Sequence, residues 1–90
     1  MRVQYSKEFN KFYFRRIKSN SNLAQRTGER IIMFMNDPNN ETLKNHRLGG
    51  EMKGLFSFSI NGDCRIVYKV INGNLVEFID IGTHNQVYGK

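Results

Sequence analysis

Two hydrophobic periods divide the chain. Near the start, Phe9, Phe12, Tyr13 and Ile17 recur at helical spacing and predict an amphipathic helix over roughly 6–18. Ser6 stands where an N-cap belongs, and Glu8 falls in the first turn, where the helix dipole favours a carboxylate. Ser19-Asn20-Ser21-Asn22 is a connector rich in capping residues. Beyond it, Leu23, Thr27, Ile31, Phe34 and Met35 mark a second helical stripe that Asn36-Asp37-Pro38 stops. So short a connector predicts that the two helices pack as an antiparallel hairpin. Ahead of them, Arg2–Tyr5 alternates enough for a short opening strand.

From residue 55 the period falls to two. Leu55–Ile60, Cys64–Ile71 and Leu75–Ile81 read as three strands, separated by the hairpin turns Asn61-Gly62-Asp63 and Asn72-Gly73. A three-residue loop at 61–63 pairs Ile60 with Cys64, Phe58 with Ile66 and Phe56 with Tyr68. A two-residue loop at 72–73 then pairs Ile66 with Ile79 and Cys64 with Ile81. One face becomes almost wholly apolar, as burial requires. The other collects Ser57, Ser59, Arg65, Val67, Phe78 and Asp80, and parity carries Gly82 and His84 to that side. The expectation is an α+β fold, an N-terminal helical hairpin packed on one face of a small antiparallel sheet, with residues 1–90 forming a single domain.

Length and composition narrow the function classes. Ninety residues leave room for one small core, and 39% hydrophobic residues with 24% charged ones is globular composition. One Cys excludes a disulfide scaffold, and neither it nor the two His residues has metal-like spacing, so no metal site is expected. The longest purely apolar run, Ile31–Met35, is five residues, far short of a membrane span. These features suggest a soluble cytosolic domain with no membrane partner. The charge is +6 (14 − 8), and it is lopsided: residues 1–47 hold ten basic and four acidic side chains, the remainder four of each. Such a balance favours polyanionic partners, nucleic acid or an acidic protein, although solubility alone also accounts for a high pI.

A few residues could carry chemistry. Arg65, on a central strand just after a turn, can present a planar fork of donors to a phosphate; equally, the register above sets Asp80 opposite it as a simple ion pair. His84 lies in Gly82-Thr83-His84, with Tyr88 four residues on, so one helical turn would bring the two rings together. An imidazole is the commonest proton-transfer group, and a phenol can donate a hydrogen bond or stack on a base. Lys44, His46, Arg47 and Lys53 lie in the Gly-rich stretch 43–54, which is either a backbone-approaching loop or a solvated basic one. It is not a P-loop, because no strand precedes it and the Gly-Lys-Ser/Thr ending is missing. No carboxylate pair suits glycosidase chemistry, and no Ser-centred nucleophile motif occurs. Cys64 is expected to point into the core.

In order, two amphipathic helices, Leu43-Lys44-Asn45-His46-Arg47-Leu48, Gly54, Arg65-Ile66-Val67-Tyr68, and Ile81-Gly82-Thr83-His84-Asn85-Gln86-Val87-Tyr88 resemble a RelE/ParE-superfamily toxin, closest to the YafQ-type mRNA interferases. The resemblance covers essentially the whole chain, and the Gly-Thr-His ending with its aromatic four residues later is the most specific part. It implies a type II toxin that enters the ribosomal A site and cuts mRNA there, without metal or cofactor, by attack of the RNA 2′-OH to leave a 2′,3′-cyclic phosphate and a 5′-OH. By the same resemblance, Arg65 with Lys53 handles charge on phosphorus, His84 transfers protons, Tyr88 stacks on or orients a base, and His46 is the second proton-transfer candidate. Asp63 is carried over as an acidic residue after the first hairpin turn, and with Lys44 and Arg47 of the basic Gly-rich stretch it is expected to bind RNA. The implied partners are the ribosome with its mRNA and RNA backbone, and a cognate antitoxin through which the complex binds operator DNA. The chain departs from YafQ-type enzymes at Ser59, where they carry a second His, and at Cys64, where they carry an aromatic. Two rival readings share the fold: a ParE-like inhibitor of DNA gyrase, and a ribosome- or RNA-binding module without catalysis.

Overall fold

The computed structural model describes residues 1–89. In chain order the elements are β1 (Arg2–Tyr5), α1 (Lys7–Arg16), α2 (Ser21–Asn36), β2 (His46–Arg47), β3 (Leu55–Ser59), β4 (Cys64–Asn72), β5 (Leu75–Thr83) and α3 (His84–Tyr88). Short 3₁₀ turns at Glu41–Leu43 and Gly50–Met52 flank β2. The five strands form one sheet in the order β1-β5-β4-β3-β2. No helix among the described residues is long and apolar enough to cross a membrane.

The two long helices begin where their caps dictate. The Ser6 hydroxyl accepts the Phe9 N–H at 2.9 Å, and the Asn20 side chain accepts the Leu23 N–H at 3.1 Å. Each cap answers one of the orphan donors of a first turn. Both helices deliver aromatic rings to the sheet. Phe34 of α2 stacks on Phe58 of β3 with ring centroids 4.6 Å apart and meets Phe78 of β5 edge-on at 5.7 Å. Phe9 of α1 reaches Phe78 at 5.5 Å. All four rings are buried, together with Ile17, Leu43, Ile60, Ile66, Tyr68, Val76 and Ile81. Burying each such ring stabilises the fold by about 2–3 kcal/mol, so this aromatic cluster dominates the core.

Three expectations need correction. The helical hairpin is not N-terminal: β1 comes first, at the Arg2–Tyr5 expected for an opening strand, and it runs parallel to β5, Val3 beside Val76 and Tyr5 beside Phe78. The sheet is therefore mixed rather than antiparallel. The register of β3 on β4 is as expected, Phe56 opposite Tyr68 and Phe58 opposite Ile66. The register of β4 on β5 is not. The turn falls at Gly73-Asn74 rather than Asn72-Gly73, so Asn72 pairs with Leu75. Past two bulges that cancel, between Val70 and Asn72 and between Val67 and Tyr68, Ile66 pairs with Ile81 and Cys64 with Thr83. The extra residues are Ile79 on β5 and Ile71 on β4.

The physical reason for the extra residue on β5 lies in spacing. Val76 and Phe78 keep period two into the core, whereas Ile81 is three residues beyond Phe78; all three are buried, and only an inserted residue lets one strand do this. Phe78, expected on the far face, is therefore in the core. Asp80 falls opposite Val67, and Arg65 faces Gly82 instead of Asp80.

Candidate active site

The far face of the sheet carries Ser57, Val67 and Asp80, all buried, and α3 lies against its β4–β5 part. Thr83, His84, Asn85 and Gln86 start that helix with a reciprocal cap. The Thr83 hydroxyl accepts the Gln86 N–H at 3.2 Å, and the Gln86 side-chain Oε1 accepts the Thr83 N–H at 2.8 Å. This is the Thr-x-x-Gln form of the capping box, a signal present in the sequence at 83–86. Gly82 is required just before it: a Cβ there would come within 2.5 Å of Gln86 Oε1 and 2.9 Å of Arg16 Nη1. Arg16 itself bridges from α1 to Asp80 at 3.1 Å and to the Ile81 carbonyl at 2.9 Å. It is this partner, and not Arg65, that answers the Asp80 carboxylate.

His84 is thus the first residue of a helix pinned at its start, and its backbone N–H donates to the Asp63 carbonyl at 3.0 Å. One turn later the Tyr88 ring stands edge-on to the imidazole, with centroids 4.7 Å apart. The Tyr88 hydroxyl donates to Ser57 Oγ at 2.7 Å, which fixes the ring over the sheet. Arg65 completes the group, its guanidinium carbon 5.9 Å from the Tyr88 ring centre. Its Nε is buried without a hydrogen-bond partner among the described residues. A buried donor left unanswered is uncommon.

His46 joins from the opposite wall. On β2 it sits across from Ser57, and its Nδ1 lies 2.9 Å from the Lys44 carbonyl. A carbonyl only accepts, so this bond places a proton on Nδ1 and leaves Nε2 for other partners. His46, Arg65, His84 and Tyr88 line one open cleft of about 450 Å³, with Gly49, Glu51 and Met52 along its rim. Glu51 and Ser57 are site residues that reading the sequence did not single out; nothing in the local pattern marks either one.

The remaining expected residues are scattered around this cleft. Lys53 is exposed and caps the Gly50–Met52 turn without lining the cleft. Lys44, with a left-handed backbone (φ 49°), lines a neighbouring depression with Arg65. Arg47 lies over the Phe56 ring, 5.5 Å from its centre. The Asp63 side chain is exposed at the β3–β4 turn, and only its backbone carbonyl engages His84. Cys64 is buried as expected, and burial pushes its thiol pKa up, with the Asp63 charge adding to the rise and Arg65 opposing it. Among the described residues no three His, Cys, Asp or Glu side chains gather as a metal-ligating group.

In chemical terms the cleft offers a fixed cation, two imidazoles on facing walls and an aromatic ring. That set can hold a phosphodiester and move protons beside it.

Comparison with known proteins gives a consistent picture. The family model described as a bacterial toxin of type II toxin–antitoxin system, YafQ, matches residues 1–89. A search of the curated proteins finds no match. Among solved structures, YafQ from E. coli strain BL21(DE3) is similar over 99% of this chain and 100% of its own, with a TM-score of 0.72 and 23% identity. The structure of the E. coli DinJ-YafQ complex is similar over 99% of this chain and 100% of the matched chain, with a TM-score of 0.69 and 25% identity. A YoeB/ParE toxin from Agrobacterium tumefaciens is similar over 93% of this chain and 99% of its own, with a TM-score of 0.71 and 22% identity.

Proposed function

The chain belongs to the YafQ family of bacterial toxins of type II toxin–antitoxin systems, and from that premise we propose that it is an endoribonuclease acting on mRNA in the ribosomal A site. The observation that carries this reading is the meeting of Arg65, His84, Tyr88 and His46 around one open cleft. RNA brings its own nucleophile, so the protein need only align, deprotonate, stabilise and reprotonate.

The scissile phosphate sits against the Arg65 guanidinium, whose planar fork of donors suits two non-bridging oxygens. The 2′-oxygen attacks phosphorus as its proton passes to an imidazole. The bond from phosphorus to the 5′-oxygen breaks, and that oxygen takes a proton from the facing imidazole. A 2′,3′-cyclic phosphate and a 5′-OH result, with no net change in protons. His84 and His46 take these two roles. Tyr88, tethered to Ser57, orients the His84 ring and offers its open face to a base. Lys53, exposed outside the cleft, adds long-range positive charge rather than a direct contact.

A cognate antitoxin silences the chain by covering this face, and the ribosome supplies the alignment of mRNA that so open a cleft does not impose by itself. DinJ-YafQ, the complex named above, supports the antitoxin part of the proposal. The deciding experiment maps the 5′ ends of cellular mRNA after brief expression of the toxin. New ends falling in the reading frame are expected. Intact mRNA with a supercoiling defect would instead favour gyrase inhibition, and slowed translation with intact mRNA would favour a binding module.

A further inference from the structure

Beside the cleft a second depression, of about 370 Å³, opens between α2 and the β3–β4 turn. Arg26 and Arg30 of α2 line it with Lys44, Arg65, Ser59 and Asn61, and among the described residues no carboxylate side chain lines it. Four cations therefore share one small space. The counter-charge beside them is Glu29, 3.7 Å from Arg26 Nε, in a pair whose side chains are 48% and 59% exposed. Such a solvated pair neutralises little. Arg30 donates to the Thr42 carbonyl at 3.3 Å, which orients its guanidinium without answering its charge. Like charges concentrated in a concave site repel one another and raise the local concentration of an anionic ligand.

We propose that this depression is a phosphate subsite for single-stranded RNA, holding backbone phosphates of the same strand whose scissile phosphate lies at Arg65. It rests on reading the neighbouring cleft as an RNA-cutting site, and Arg65, which lines both spaces, makes the path continuous. The lining chemistry selects a phosphodiester backbone over an acidic protein segment. Every lining side chain is polar, and arginine, lysine, serine and asparagine are the residue types that contact phosphates. A protein segment would be anchored by apolar side chains seated against apolar partners, and no aliphatic or aromatic residue is among the described residues of this lining. The subsite positions the strand on one side of the cut without reading its sequence.

The test is a fluorescence-anisotropy titration of a labelled single-stranded hexaribonucleotide, 2′-O-methylated throughout so that it cannot be cut. The full-length wild type and the Arg26→Gln/Arg30→Gln double variant are compared between about 50 and 200 mM salt, where each single-strand phosphate contact contributes about 0.7 to the slope of log K against log salt. The double variant should bind more weakly at low salt, with a slope shallower by about 1.4 for two lost contacts. Should it fold poorly, Arg26→Gln alone, at an exposed position, should lower the slope by about 0.7. Unchanged slope and affinity would overturn the subsite, as would failure of the wild type to bind the oligonucleotide. A poly-glutamate probe whose binding depends on both arginines while RNA binding does not would assign the depression to a protein partner and also overturn it. Because the probe cannot be cut, the two readings fail separately. Loss of the slope effect in an active nuclease removes the subsite alone, and a retained slope effect without cleavage removes the nuclease alone.

Discussion

Arg65 is flanked across the sheet by Ser59 on β3 and Gly82 on β5, two residues that offer its charge no counter-ion. Its exposure to a ligand follows from that. Arg65→Ala and His84→Ala should each relieve growth arrest at equal expression while leaving the far-ultraviolet circular dichroism unchanged; a fully toxic variant would remove that residue from the mechanism. Removing one acid–base group should slow single-turnover cleavage roughly 10²–10⁴-fold. His46 is the sharper case, because its Nδ1 is already committed to the Lys44 carbonyl. His46→Ala, measured at saturating ribosomes, should lower the single-turnover rate by at least about 10²-fold. An unchanged rate with weaker half-saturation would make it a binding residue. Cys64 gives a stability prediction. Burial raises its folded pKa above the ordinary 9.0, so the native state holds that proton where the unfolded chain has lost it. Stability should therefore fall as pH rises through and beyond 9.0, and Cys64→Ala should flatten the first part of that fall in urea titrations. Residue identities at the cleft were legible in the sequence because Arg, His and Tyr have few equivalents for this chemistry. Glu51 and Ser57 were not, since their role comes only from what the fold sets beside them.

At the scale of elements, local signals were the readable ones. Ser6 and Asp37-Pro38 bound the helical region near where α1 begins and α2 ends, and Asn61-Gly62-Asp63 set the β3–β4 register. The bulge at Ile79 was not readable, because it balances burial of Phe78 against burial of Ile81 across two strands and no local pattern encodes that choice. The parallel pairing of β1 with β5 was hidden for a similar reason: the two segments lie more than seventy residues apart. Yet the register positions the site. With the turn at Gly73-Asn74, Asp80 lies opposite Val67 rather than Arg65 and within reach of Arg16, and the strand end that follows launches α3. The capping box at its start then holds His84. Thr83→Ala should cost about 1 kcal/mol of stability in chemical denaturation, the ordinary cost of a lost N-cap. It should lower cleavage by more than that stability loss explains, since the helix start that carries the imidazole is loosened. Cleavage equal to wild type at full folding would show that the cap serves stability alone.

At the scale of the whole molecule, charge and fold are complementary. The sheet's core side is closed by α1, α2 and the aromatic cluster, so the open chemistry lies on the other side and along the edge where Lys44, His46 and Arg47 approach. Ten of the fourteen Lys and Arg residues precede residue 48, from β1 through the two long helices to β2. A net charge of +6 on 90 residues creates a field that reaches beyond contact distance, and an acidic antitoxin segment would be drawn to it from solution. Steering of this kind acts on the encounter, whereas the final complex is held by short-range packing that salt barely screens. The association rate of toxin with antitoxin, followed by stopped-flow fluorescence, should therefore fall at least about tenfold between 50 and 500 mM salt, with the dissociation rate changing far less. Neutralising Lys7 and Lys11 on the exposed side of α1 should reproduce part of that fall at low salt without altering the dissociation rate. An association rate indifferent to salt would mean that the positive field does not recruit the antitoxin, and the basic balance would then serve RNA alone.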